Sequence, residues 1–187
     1  DDTLRRTLGL ARTEANGAPL AERIMLPALN LRGLRFGGVR ETGSNTIATE
    51  AYASVDLRLV PDQSPERVRR LIEAHVRRQG YFVTSDSVTT ALRLAHPRVA
   101  RLEWGSGYRA ARAPMDGPFG RAVLAALGDG APRPLAIPTF GGSGPMYLFQ
   151  EILRVPMIAL PIANFDNNQH AANENLRGKN LWDAIEL

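Results

Sequence analysis

The sequence predicts an α/β protein built in two parts. Three observations lead there. Residues 46–61 alternate apolar and polar side chains, as a strand with one buried face does. Residues 64–80 carry apolar positions at helical spacing behind a capping signal. From residue 117 onward, helical stretches and short apolar runs take turns, the pattern of a parallel sheet layered with helices. The expected division places one part at residues 1–88 and the other at 89–187.

Taken in order, residues 1–20 read as neither strand nor helix. Residues 23–36 partly alternate and read as a strand interrupted at Pro27, and residues 37–45 form a glycine-rich loop. In the next strand, Ala51, Ala53, Val55, Leu57 and Leu59 share one face, while Glu50, Tyr52, Ser54, Asp56 and Arg58 take the other. This is the signature of a half-buried antiparallel strand. Ser64 is placed to cap a helix with Pro65 at its first position. Val68, Leu71, Ile72 and Val76 gather on one side of that helix, which ends near Gly80, and residues 81–86 give a further strand. Strand, strand, helix, strand makes most of a ferredoxin-like antiparallel sheet. A complete unit of that kind has a strand and a helix before these, so the first part is expected to be incomplete at its start.

Residues 87–116 show few clear elements. A glycine-closed helix is expected at 117–130, a buried strand at 134–140, a helix at 146–154, a second buried strand at 156–162, and a closing helix at 174–187 weakened by Gly178.

Composition narrows the function classes. The chain of 187 residues has no cysteine, which excludes disulfides and thiolate zinc sites. Its net charge is +4, and its cations are arginines apart from Lys179. The densest basic run, residues 66–80, puts its arginines on the outer face of an amphipathic helix, with no interleaved aromatics for base stacking. No nucleic-acid partner is expected. No apolar run reaches the roughly 20 residues that cross a bilayer, and no signal peptide is visible, so no membrane partner is expected. The compartment stays open between cytoplasmic and secreted or periplasmic.

Two polar loops follow apolar runs, where open α/β sheets hold ligands. The first, TFGGSGP at residues 139–145, contains Gly142 and Ser143. It misses the Gly-x-Ser-x-Gly nucleophile elbow by one residue, Pro145. It also lacks the lysine of a phosphate-binding loop. Ser143 reads equally well as a helix N-cap. The second loop, NFDNNQHAANEN at residues 164–175, holds His170. That histidine reads as a structural residue, as a general base in a Ser143–Asp166–His170 arrangement, or as a metal ligand needing partners. His75 and His96 show no ligand spacing with it.

These two loops, with the helix and apolar run between them, resemble the C-terminal part of M20 zinc peptidases and deacylases. That family includes carnosinase, glutamate carboxypeptidase, acetylornithine deacetylase and succinyl-diaminopimelate desuccinylase. SNTIATEAYASVDLRLVPDQSPERV, at residues 44–68, is similar to its lid or dimerisation domain. Ala48 stands where the family often has proline, and Gly144 where many members have a larger residue. The resemblance implies that residues 89–187 are the last piece of an open α/β catalytic domain. It implies His170 as a zinc ligand, Asn45 and Arg58 as lid residues holding the substrate's carbonyl and carboxylate, and Gly142 and Ser143 in the loop binding its C-terminal end. Glu174 is then a supporting residue. It further implies hydrolysis of a peptide or amide bond in small peptides or N-acyl amino acids by a water activated between two zinc ions, and a homodimer formed through the lid. The family's other ligands and its general-base glutamate belong to an N-terminal half whose motifs do not precede the lid here. No catalytic residue is therefore expected in this chain, and the chain alone is expected to be inactive. Two other readings stand beside this one: a serine hydrolase built on Ser143, and a non-catalytic dimerisation module.

Overall fold

The computed structural model describes residues 2–13, 17–128, 135–139 and 141–186. The fold is mixed α/β, and the chain divides into two compact units, Asp1–Ala110 and Ala111–Leu187.

The first unit opens with a helix the sequence did not announce, α1 at Asp2–Thr7. Asp2 pairs with Arg5 at 2.8 Å and with Arg6 at 2.8 Å, one helical turn away, and so tethers its first turn. A short helix, α2 (Leu20–Arg23), follows. Strand β1 then runs over Ala28–Phe36, starting after Pro27, and pairs antiparallel with β2 (Ala51–Arg58). The ladder shifts between Leu31 and Gly33, leaving Arg32 as an extra, bulged residue. The bulge settles an apparent conflict of periodicity. Leu29 and Leu31 are odd-numbered, whereas Leu34 and Phe36 are even. With Arg32 bulged, these four oppose Leu57, Val55, Ala53 and Ala51, so all eight lie on one face. The other face carries Arg35 opposite Tyr52, with the guanidinium carbon 4.9 Å from the ring centroid.

Helix α3 (Pro65–Arg78) begins as its sequence requires, with Ser64 Oγ accepting the Arg67 backbone N–H at 3.2 Å. Gly80 adopts φ 82° just beyond its end, a conformation glycine takes without steric cost. Replacing Ser64 by alanine is expected to cost about 1 kcal/mol, read as a lower urea midpoint by circular dichroism. Strand β3 (Phe82–Thr84), where a strand was expected, forms a small parallel β-α-β unit with helix α4 (Thr90–Ala95) and strand β4 (Val99–Arg101), both inside the stretch that had shown few elements. Thr89 caps α4 by accepting the Leu92 N–H at 3.2 Å. His96 stacks on Phe82, ring centroids 3.9 Å apart, which is a packing role. Arg93 of α4 reaches Glu50, at the start of β2, at 2.8 Å.

The second unit holds α5 (Pro118–Ala126), a single turn α6 (Met146–Leu148) that continues as a π-helical turn at Phe149–Leu153, and α7 (Gly178–Glu186). Gly128, at φ 73°, closes the end of α5, while Gly130, the expected stop, lies outside the described residues. Gly120 of α5 is buried so close to the Met115 carbonyl that a methyl group would collide with it. Gln150, on the π turn, binds the backbone of one residue, Arg112, with both ends of its amide. The Arg112 N–H donates to Gln150 Oε1 at 3.0 Å, and Gln150 Nε2 donates to the Arg112 carbonyl at 2.7 Å.

Three expectations need correction. The apolar runs at 134–140 and 156–162 form no strand over their described residues. An apolar run becomes a strand only beside a partner, and among the described residues neither run has a ladder neighbour. Ser143 does not cap the following helix, because that helix starts at Met146 with Pro145 at the cap position. The apolar face of β1 and β2 is not buried: Leu29 is 59% exposed, Leu34 64% and Phe36 65%. Among the described residues no hydrophobic side chain is fully buried. The accessible surface is 15448 Å².

Candidate functional site

The site is clearest in the second unit, where residues 164–177 fold into a polar knot. Asn164 anchors it. This is the only buried polar side chain among the described residues, 6% exposed. Its Nδ2 donates to Asp166 Oδ1 at 2.9 Å and to Asn175 Oδ1 at 3.2 Å, and its Oδ1 accepts the Arg177 backbone N–H at 3.0 Å. Arg177 closes the ring through its side chain, Nη2 to Asp166 Oδ2 at 2.6 Å. The Asn175 N–H donates to the Asn167 carbonyl at 2.9 Å, which ties the two stems of the loop together.

His170 stands at the far end of this loop, exposed, at φ 66°. Asn168 and Asn173 also adopt positive φ, at 53° and 62°. Asparagine tolerates this conformation because its short side chain bonds locally, and histidine is enriched there too. The turn is held by the Ala171 N–H on the Asn168 carbonyl at 2.8 Å and by the Gln169 N–H on Asn167 Oδ1 at 3.0 Å. The Glu174 carboxylate accepts the His170 backbone N–H at 3.3 Å. The imidazole is thus presented outward on a backbone fixed from behind.

Both oxygens of Asp166 are engaged, one by Asn164 and one by Arg177. The amide of Asn164, with the Arg177 guanidinium behind it, holds the carboxyl below its ordinary value. The ionised form is therefore the bonded form. The loop's support from this carboxylate is complete above the unfolded value and is lost as pH falls through the lower folded one, from about pH 4 downward. A carbon-detected titration is expected to place the Asp166 midpoint below that of a free aspartate, and Asn164→Ala to move it back up. A carboxylate so committed is not the third member of a Ser143–His170 pair.

Gly142 and Ser143 lie on an irregular, exposed segment just before α6. Asn45 sits on an exposed bend of the β1–β2 connection, and Arg58 ends β2, its Nε 3.0 Å from Asp56. Asn45 and Arg58 thus belong to the first unit, Gly142, Ser143 and His170 to the second. Zinc needs three or four protein ligands, and among the described residues no group of three or more His, Asp or Glu side chains gathers to hold an ion. His170 fits as one ligand of such a site and the described residues do not complete it. The sequence reading missed Asn164, Asn175 and Arg177. The one signal for them was the density of asparagine around His170.

Residues 14–83 match the peptidase dimerisation domain of the M20 family. The chain is 25% identical over 165 residues to the human (Homo sapiens) Beta-Ala-His dipeptidase, covering 86% of this chain and 29% of that protein. It is 24% identical over 166 residues to a probable di- and tripeptidase, DUG2, of Saccharomyces cerevisiae, covering 86% and 17%. The chain therefore spans under a third of the length of these curated relatives. Its structure is similar to that of the M20 family metallo-carboxypeptidase Sso-CP2 from Sulfolobus solfataricus, with a TM-score of 0.73 and 25% identity, over 99% of this chain and 40% of that one. No helix among the described residues is long and apolar enough to cross a membrane. The domain match, the two dipeptidase-like relatives and the structural likeness along nearly the whole chain agree in supporting a C-terminal segment of an M20 family peptidase, whose dimerisation domain residues 14–83 match.

Proposed function

We propose that this chain is the C-terminal part of a metal-dependent hydrolase that cleaves a peptide or amide bond in small peptides or N-acyl amino acids. The observation that carries the reading is the likeness along 99% of the chain to a metallo-carboxypeptidase. Residues 1–88 serve as the lid, and residues 89–187 belong to the catalytic domain. His170 supplies one ligand to a zinc site whose other ligands, with the general-base glutamate, lie outside this chain. Zinc in such a site supplies Lewis-acid chemistry for the hydrolysis. Arg58 binds the substrate carboxylate, for which its planar fork of donors is suited, and Asn45 binds the carbonyl. Gly142 and Ser143 receive the substrate's C-terminal end. Two copies pair through the first unit, by way of its open strand edges and the apolar face of β1 and β2.

The test is hydrolysis of dipeptides and N-acyl amino acids by the protein at its full natural length, with and without a chelator. Chelation and His170→Ala are each expected to abolish turnover. A rate that survives chelation overturns the metal reading. Arg58→Ala removes a charge-assisted contact and is expected to raise KM about 10–100-fold with a smaller change in kcat, measured on substrates that keep a free carboxylate.

A further inference from the structure

We infer that Asn164 is a positioning residue, the pin that keeps His170 in its left-handed conformation and so sets where the imidazole points. The inference rests on reading His170 as a ligand, but its evidence is the loop itself. Asn164 is buried, and a buried amide is tolerated only where its bonds are made. Here Nδ2 gives its two donors to acceptors on both sides of the loop, Asp166 and Asn175, while Oδ1 takes the Arg177 backbone. Only one orientation satisfies this set, because turning the amide over would aim its oxygen at two other oxygens. One side chain thus joins the entering stem, at residues 164–166, to the leaving stem, at 175–177.

Between the stems lie three non-glycine residues at positive φ, His170 among them. Such a conformation persists only where its surroundings over-determine it. The bonds inside the loop are short-range ones, Asn168 to Ala171, Asn167 to Gln169 and Glu174 to His170, and the Asn175 N–H on the Asn167 carbonyl is the backbone tie between the stems. The Glu174 contact in particular needs the leaving stem held in register, since Glu174 immediately precedes Asn175. Releasing Asn164 lets that stem slide, frees the His170 N–H, and removes the reason for φ 66° at His170. Proteins commonly orient a metal-binding imidazole through its other ring nitrogen. This loop does so through the main chain.

The experiment is NMR of the 187-residue chain with Asn164→Ala, with Asn164→Asp, and with the exchange Asn164→Asp plus Asp166→Asn. The readout is the intraresidue HN–Hα contact of His170, strong only at positive φ. Asn164→Asp keeps size and acceptor but sets a carboxylate against Asp166 and the Asn175 oxygen. Both single variants are expected to lose the signature. The exchange restores a donor–acceptor pair between 164 and 166; Asn175 can donate to it only by giving up its Nδ2 bond to the Asn173 carbonyl, 3.0 Å, so the signature is expected to return in part. A signature that persists in Asn164→Ala overturns the proposal, even where the melting temperature falls. So does failure of the exchange to recover any of the signature while the remaining amide spectrum is retained. In the complete metal-loaded protein, Asn164→Ala is expected to weaken zinc binding about 10–100-fold. If the backbone signature responds as expected but zinc affinity there is unaffected even by His170→Ala, the ligand reading fails and the pin stands.

Discussion

Purified with excess zinc, the 187-residue chain is expected to hydrolyse dipeptides and N-acyl amino acids no faster than zinc in buffer. His170 is one exposed imidazole, and among the described residues no other carboxylate or imidazole cluster joins it. A catalytic zinc is held by three protein ligands and keeps one position open. With one ligand, zinc is weakly held and readily lost to buffer. Enzymes of ordinary efficiency accelerate their reactions at least about 10⁶-fold, so the shortfall against a complete site is not subtle. Amine release followed over hours, with calorimetric zinc titration alongside, checks both halves. Zinc-dependent turnover that vanishes in His170→Ala would mean that this chain assembles a site by itself.

The second large effect concerns association. Leu29, Leu31, Leu34 and Phe36 present an unbroken apolar stripe to solvent, each at least 59% exposed. Burying one leucine side chain fully is worth about 1.5–3 kcal/mol. The chain is expected to self-associate at micromolar concentration through the first unit, and Leu34→Glu to reverse this. In a symmetric pair each substitution is met twice. Two lost leucine contacts then raise the dissociation constant about 100-fold or more. Sedimentation velocity across a concentration series reads the change directly. An unaltered association state in Leu34→Glu would remove this face from the interface.

The parts of the fold legible in the sequence are those that carry their own local reasons. Helix α3 has a capping serine, a proline at its first position and a closing glycine, and it formed as read. Strands β1 and β2 alternate, and they paired. Burial was not legible, because alternation says which face is apolar and not what covers it. The runs at 134–140 and 156–162 form no strand over their described residues for the same reason: a strand is a relation between segments, and composition names only one of them. Helix α4 and strand β4 were too short, at six and three residues, for periodicity to register. Helix α1 was not read, although the spacing of Asp2 from Arg5 and Arg6 suits a helical turn. At the candidate site, His170 stood out as a rare residue type in a polar loop. Its left-handed backbone and the closure of its loop by Asn164 did not, because both arise from contacts across the ten residues between Asn164 and Asn175.

The bulge at Arg32 makes β1 tolerant of a change in length that strands usually refuse. Losing one residue from a paired strand ordinarily turns every following side chain to the opposite face. Here Arg32 is slack: Leu31 opposes Val55, and Gly33 already opposes the next residue along, Ser54. An in-frame deletion of Arg32 would close the chain into a regular ladder with every cross-strand pair kept and the apolar stripe intact. Only the extra local twist would be lost. Strand β1 therefore has a built-in site at which an ancestral insertion, or a future deletion, passes without rewriting the sheet.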